Sequence, residues 1–360
     1  MLTDGISVMT VSRERGTVKY CDAKKTRGGQ FHTVRHAWLK PQVQRFIASA
    51  GRVDIVDPFA GNGDIFAALR PLLPEADFVG FDLDPACAWQ INDSLKRVPK
   101  VDGAMVVTNP PYLAKHSAAR KGVLHQVESY YRESGLNDLY LIAMRTCTAA
   151  YPRGVFIVPE TFLNSGHVFA GIESITVILE DIFNDTDNPV CVVCYDRDHT
   201  GAPDVYVGDE RIGRYPDIMA LRPKPTGAID IRFNVIGAPV GLRAIDLPSA
   251  GKKISFMPAA DMEYDTSGIK ISSRLMTFVK VAGVSSENVL DYCRRANRIL
   301  AQLRERSHDA ILSPFKGNAK DGTRRRRLDY ELARAILEQA HADMHGKLEP
   351  IQQNLFAGTL

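Results

Sequence analysis

Thr108-Asn109-Pro110-Pro111-Tyr112 closes an apolar run, Gly103 to Val107, and its residue types specify chemistry more directly than any other stretch of the chain. Proline has no amide hydrogen for a ladder and a fixed φ, so two in succession end a buried strand abruptly and hold the preceding Asn rigid. Asn109 then offers its side-chain carbonyl and Pro110 its backbone carbonyl, two acceptors beside the aromatic face of Tyr112. Together they form a receptor for a flat ring bearing an exocyclic NH2. Such an amine is a poor nucleophile, because its lone pair is delocalised into the ring. Hydrogen bonds from both amino protons to Asn109 and Pro110 would favour a tetrahedral nitrogen and localise that lone pair as the transition state forms.

A strand carrying this motif needs neighbours to position it. Val53 to Val56, followed by Asp57-Pro58-Phe59-Ala60-Gly61-Asn62-Gly63 and the apolar Ile65-Phe66, reads as strand, glycine turn and helix start. The turn lacks both the full G-x-G-x-x-G spacing and the Lys-Ser/Thr of a phosphate loop. Its glycines let the backbone approach a ligand closely without requiring a phosphate. Phe78 to Asp82 gives a second strand ending in an acid, and a carboxylate there is placed to accept hydrogen bonds from ribose hydroxyls. Gly154–Pro159, Ile175–Leu179 and Val190–Tyr195 read as further apolar strands, so the expected class is α/β. Upstream, a basic arm runs into Gly28-Gly29-Gln30-Phe31-His32-Thr33. Thr33 is placed to cap a helix whose apolar positions Val34, Trp38, Leu39, Val43, Phe46 and Ile47 have helical spacing, with a disturbance at Pro41.

In this order the motifs resemble those of the S-adenosylmethionine-dependent amino-methyltransferases of DNA, in the branch where the cofactor motif precedes the catalytic motif and target recognition comes last. The resemblance covers roughly residues 20 to 200. It implies a Rossmann-like class I methyltransferase sheet with a smaller C-terminal recognition domain, and S-adenosyl-L-methionine as cofactor. Asp57, Phe59, Gly61 and Gly63 match the cofactor loop, Asp82 the ribose-binding acid, and Phe31 and Thr33 the N-terminal motif at the methionine part. Asn109, Pro110, Pro111 and Tyr112 match the catalytic motif, and Asn in first place is similar to the adenine-N6 enzymes. Tyr112 and Phe183 would stack on a flipped adenine, at about 1 to 3 kcal/mol per base. Asp93 is the candidate acid for the cofactor's adenine, although the stretch after Asp84 is too short for the helix that the family places before it. The implied partners are double-stranded DNA and, in a restriction-modification role, a cognate endonuclease.

The composition agrees with such a protein. A chain of 360 residues, 45% hydrophobic and 24% charged, is long enough for one large domain and one smaller one. No apolar stretch or signal-like segment stands out, so a cytoplasmic protein without membrane contact is expected. The six cysteines are scattered, which fits reduced thiols. Cys191 and Cys194 lie three apart on a strand and face opposite ways, so no metal site is expected. The expected division is a catalytic domain over 1–200 and a β-rich recognition region with C-terminal helices over 217–360. Its basic loop, Lys316 with Arg324, Arg325, Arg326 and Arg327, is the expected contact to the DNA backbone. Two alternatives stay open: the same amine chemistry on RNA or on a protein glutamine, and a non-catalytic nucleic-acid-binding subunit.

Overall fold

The computed structural model describes residues 33, 36–183, 188–262, 275–315, 318 and 323–345. The chain divides into two compact units, Met1–Asp209 and Glu210–Leu360.

The first unit is built on strands β1 Ile55–Asp57, β2 Phe78–Asp82, β3 Gln90–Ile91, β4 Met105–Thr108, β5 Arg153–Pro159, β6 Ile172–Val177, β7 Val190–Asp196 and β8 Asp204–Val207. They lie in the order β3-β2-β1-β4-β5-β7-β6-β8. The five strands from β3 to β5 are parallel, and β7 runs antiparallel to both β5 and β6. This is a mostly parallel α/β sheet, with the antiparallel β7 set between β5 and β6. Every residue of β1 and β4 is buried; the apolar Ile55-Val56 and Met105-Val106-Val107 end in the polar Asp57 and Thr108 at the carboxyl ends. Their helices are α1 Pro41–Ala48, α2 Asp64–Leu69, α3 Lys115–Arg120, α4 Leu124–Ser134 and α5 Leu139–Ala150.

Two local expectations change. Pro41 does not disturb a helix that begins at Thr33; it is the first residue of α1, where its missing amide costs nothing and its φ is already helical. A separate 3-10 turn, His36–Trp38, precedes it and buries Trp38 completely. After β2 no helix intervenes, yet a parallel strand still forms, with Phe81 opposite Gln90 and Asp82 opposite Ile91. A parallel crossover ordinarily takes about a dozen residues or more. Here Asp84 turns the chain within 83–89, accepting from the Ala86 amide at 2.8 Å through its side chain and from the Cys87 amide at 3.0 Å through its carbonyl. Trp89 then drops across β2, where Gly80 leaves room for its indole.

The second unit opens with β9 Glu210–Arg214 and α6 Tyr215–Ala220. Its sheet contains β10 Ile231–Phe233, β11 Val240–Arg243, β12 Ser255–Pro258 and β13 Met276–Val281, antiparallel in the order β10-β13-β11-β12. Helix α7 Val289–Ser307 covers the β12 edge, and Asn297 bonds both the amide and the carbonyl of Phe256 at 2.8 Å. The pair β14 Ser313–Pro314 and β15 Arg326–Arg327 leads into α8 Tyr330–Met344. Two buried carboxylates of this unit, Asp246 and Glu338, are compensated. Arg304 forks onto Asp246 and Asp309, and Glu338 accepts from the Thr226 and Gly227 amides. Among the described residues no helix is long and apolar enough to cross a membrane.

Gly80 supplies a test of the β2–β3 connection. A Cβ there would lie 2.5 Å from the Trp89 ring and 3.0 Å from the Ala60 Cβ. Gly80→Ala is expected to destabilise the protein by about 1 to 3 kcal/mol through overpacking, read as a lower urea midpoint at unchanged m-value. An unchanged midpoint would mean that Trp89 does not occupy this hollow.

Candidate active site

Because β1 and β4 are hydrogen-bonded neighbours in parallel, their carboxyl ends open on the same edge of the sheet, where their connections diverge. Asp57 ends β1 and Thr108 ends β4. The Thr108 hydroxyl donates to Asp57 Oδ1 at 2.6 Å, and the Phe59 amide donates to the same oxygen at 3.0 Å. The glycine turn and the Asn-Pro-Pro-Tyr motif are thus joined through one buried carboxylate.

The glycine turn is shaped as its residues require. Gly61 and Gly63 have φ of 51° and 79°, left-handed values that a side chain resists. The Gly61 amide donates to Asp82 Oδ2 at 2.9 Å, and the Asp84 amide to Asp82 Oδ1 at 2.8 Å. The Trp89 indole N–H donates to the Gly61 carbonyl at 2.9 Å, and its ring meets Phe66 edge to face. Trp89 is a part of the site that pattern reading missed; a glycine within β2 opposite a bulky residue was its only signal.

Asn109 and Tyr112 come together with the N-terminal segment. Asn109 Nδ2 donates to Thr33 Oγ1 at 3.0 Å, so the Thr33 hydroxyl meets the Asn109 amide across 76 positions of sequence. Thr33 also forms a bridge with Phe183. The Tyr112 hydroxyl reaches two acceptors, Asn109 Oδ1 at 2.5 Å and the Ile157 carbonyl at 2.8 Å. It carries one proton, so the two bonds compete. Burial pushes the Tyr112 phenol well above its ordinary value and keeps it protonated.

Phe183 departs from the expected arrangement. It is only 4% exposed and belongs to the core, meeting Tyr112 at a centroid distance of 6.3 Å and an interplanar angle of 71°. The two rings are tilted to one another and form no parallel slot between them. Asp93 follows β3 directly despite the missing helix. One of its oxygens accepts from the Tyr130 hydroxyl at 2.9 Å and faces Lys96 Nζ at 3.3 Å. Phe31 lies outside the described residues, as does Lys316.

The arginine run needs correction. Arg326 is 2% exposed, its backbone paired into β15 and its carbonyl bonded to the Asp246 amide, so its guanidinium presents no surface to phosphate. Arg325 lies over the Phe315 ring at 5.0 Å, and Arg324 and Arg327 are half-buried. Cys191 and Cys194 are both fully buried on β7, and burial pushes the Cys194 thiol up to about 12.

No protein-family model matches the chain, and no curated protein matches it. Among solved structures it is similar to a type I restriction-modification methyltransferase subunit from Streptococcus thermophilus, at 16% identity and TM-score 0.36, over 51% of this chain and 48% of that one. It is similar to the M protein of type I restriction enzyme EcoKI at 15% identity and TM-score 0.32, over 51% and 49% of the two chains. A third likeness is to TrmN from Thermus thermophilus, at 18% identity and TM-score 0.29, over 45% and 51%. The chain spans about half the length of these structures. Scores this low define neither substrate nor activity.

Asp57 titrates near neutrality. Burial raises its carboxyl from 3.8 to about 7; the Thr108 and Phe59 bonds oppose the shift, and Asp82 and Asp64 add to it. A carboxyl whose folded pKa is raised contributes stability that is complete below its unfolded value and is lost as pH rises through the folded one. The melting temperature of the unliganded protein is therefore expected to carry a component that falls as pH rises from about 4 to about 7 and levels off above it. Asp57→Asn keeps an acceptor oxygen and should flatten that component; parallel pH curves for the two proteins would count against the assignment.

Proposed function

We propose that the protein transfers a methyl group from S-adenosylmethionine to the N6 amino group of adenine in double-stranded DNA. The observation that carries this reading is the pairing of β1 with β4, which sets the glycine turn beside Asn109 and joins them through Thr108 and Asp57. The cofactor suits the turn. Asp57, Asp64 and Asp82 place negative charge around it, and the buried Asp57 gains from a cation in place of its like-charged neighbours. Asp82 would hold the ribose hydroxyls, the glycines would let the backbone approach, and Asp93, drawn back from Tyr130, would meet the adenine. When bound, the cofactor supplies an electrophilic methyl group on a sulfonium.

The chain's own residues then prepare the nucleophile. Asn109 Oδ1 and the Pro110 carbonyl accept hydrogen bonds from the two amino N–H groups of the target and localise the nitrogen lone pair toward the methyl. For this Asn109 Oδ1 must exchange the Tyr112 hydroxyl for the incoming amine. The Ile157 carbonyl makes the exchange cheap, since the hydroxyl already reaches it and stays satisfied when Asn109 is taken. Thr33 holds the amide Nδ2 and so keeps Oδ1 facing the amine. The target leaves the duplex to reach this pocket, at a cost of a few kcal/mol that stacking on Tyr112 offsets in part.

Adenine is favoured over cytosine because the motif begins with Asn, and DNA is favoured by the order of motifs followed by a separate second unit. A companion endonuclease or a stand-alone role are both compatible with this chemistry.

Labelled methyl transfer to duplex DNA, single-stranded RNA and a protein extract in parallel tests the reading. Label recovered as N6-methyladenine in DNA, reduced about 100-fold or more by Asn109→Ala, is the expected result. Label on RNA or protein alone would keep the amine chemistry and overturn the substrate. Cofactor binding without turnover on any of the three would favour a non-catalytic subunit.

A further inference from the structure

The exposed basic face that follows the Asn-Pro-Pro-Tyr motif is assigned to none of the functions above. Lys115, His116 and Arg120 lie on α3, Lys121 caps its C-terminus and His125 is in the first turn of α4, and all five are exposed. The 25 residues from Gly103 to Val127 contain no Asp or Glu, whereas the whole chain has 42 such residues in 360. A solvated face normally interleaves both signs, and this one does not. Among the described residues no carboxylate forms a salt bridge with Lys115, Arg120 or Lys121, and Arg120 bonds only the neighbouring Ser117 hydroxyl, at 3.4 Å. The nearest acid along α4 is Glu128.

The face is also fixed relative to Asn109. Tyr112 leads directly into Leu113, whose carbonyl accepts from the Tyr131 hydroxyl at 2.7 Å and from the Leu139 amide at 3.2 Å. Ala114 pairs with Asp138, and the Lys115 amide bonds the Asn137 carbonyl. Beneath them Leu113, Ala118, Val123, Val127, Tyr131, Leu139 and Ile142 form a core of their own. Uncompensated cations on a rigid platform three residues from Tyr112 suit a polyanion that must be held still beside the pocket.

We infer that this face binds the sugar-phosphate backbone of duplex DNA next to the extruded nucleotide, with Lys115, Arg120 and Lys121 each meeting a phosphate. The inference rests on the proposed function and gives it a backbone contact in the catalytic unit, in place of the buried Arg326. Phosphate contacts of this kind fix register and supply salt-sensitive affinity without reading sequence.

The test is the full-length chain carrying K115Q, R120Q and K121Q together, after melting temperature and S-adenosylmethionine binding are checked against wild type. Affinity for a labelled mixed-sequence duplex is measured across salt concentrations, alongside methyl transfer to the same DNA. The slope of log K against log salt should become shallower by about 0.9 per lost contact, about 2 to 3 in all, with a raised KM for DNA and a preserved kcat at saturation. An unchanged slope in a variant that still methylates DNA would overturn the surface and leave the proposed function standing. A wild-type protein that methylates no nucleic acid would overturn the function, and this inference with it. A slope change seen with single-stranded RNA and absent with duplex would overturn the duplex as occupant.

Discussion

Everything in the first unit depends on the parallel pairing of β1 with β4, Ile55 opposite Met105 and Val56 opposite Val106. Parallel neighbours present their carboxyl ends side by side, and here one end carries a glycine turn and the other an Asn stopped by two prolines. The Thr108–Asp57 bond ties the two ends in a site with almost no solvent. A hydrogen bond to a carboxylate contributes more there than at a surface, but holding Asp57 charged is also costly, which is why its carboxyl rises toward neutrality. The same junction thus orders the site and makes it responsive to a nearby positive charge.

The aromatic residues around Asn109 have divided roles. Tyr112 spans from the Asn-Pro-Pro-Tyr turn to the Ile157 carbonyl of β5, so its hydroxyl has an acceptor whether or not Asn109 is occupied. Phe183 packs below it and pairs through its backbone with Thr33. Trp89 supports the glycine turn from the β2 side and replaces, with one side chain, the packing that a connecting helix would have supplied. The contacts of Tyr112 with Ile157, of Phe183 with Thr33 and of Trp89 with Gly61 join residues far apart in sequence.

That distance explains what could be read from the amino-acid order. The ends of β1, β2 and β4 were legible because proline and glycine act on their own backbone and because fully buried parallel strands are written as continuous apolar runs. Pro41 was misread as a disturbance because the same residue starts a helix as readily as it breaks one, and the periodicity on either side does not distinguish them. The β2–β3 crossover looked deficient because its turn is made by Asp84 and its packing by Trp89 against Gly80, a pairing with no local pattern. Arg326 was read as a surface cation because a run of arginines looks the same whether it is solvated or threaded into a two-stranded ribbon; only the pairing with Ser313–Pro314 decides. The basic face of α3 was passed over for the opposite reason, since its cations are spaced along the chain rather than adjacent.

The proposed function divides the labour between two adjoining strand ends, with Asp82 and the glycine turn holding S-adenosylmethionine and Asn109 acting on the target amine. Calorimetric titration of S-adenosylmethionine into wild type, Asp82→Ala and Asn109→Ala tests it most directly. The account predicts that Asp82→Ala loses about tenfold or more in affinity, from the loss of charge-assisted hydrogen bonds, while Asn109→Ala binds as wild type does. Wild-type affinity in Asp82→Ala, or an equal loss in both variants, would contradict it.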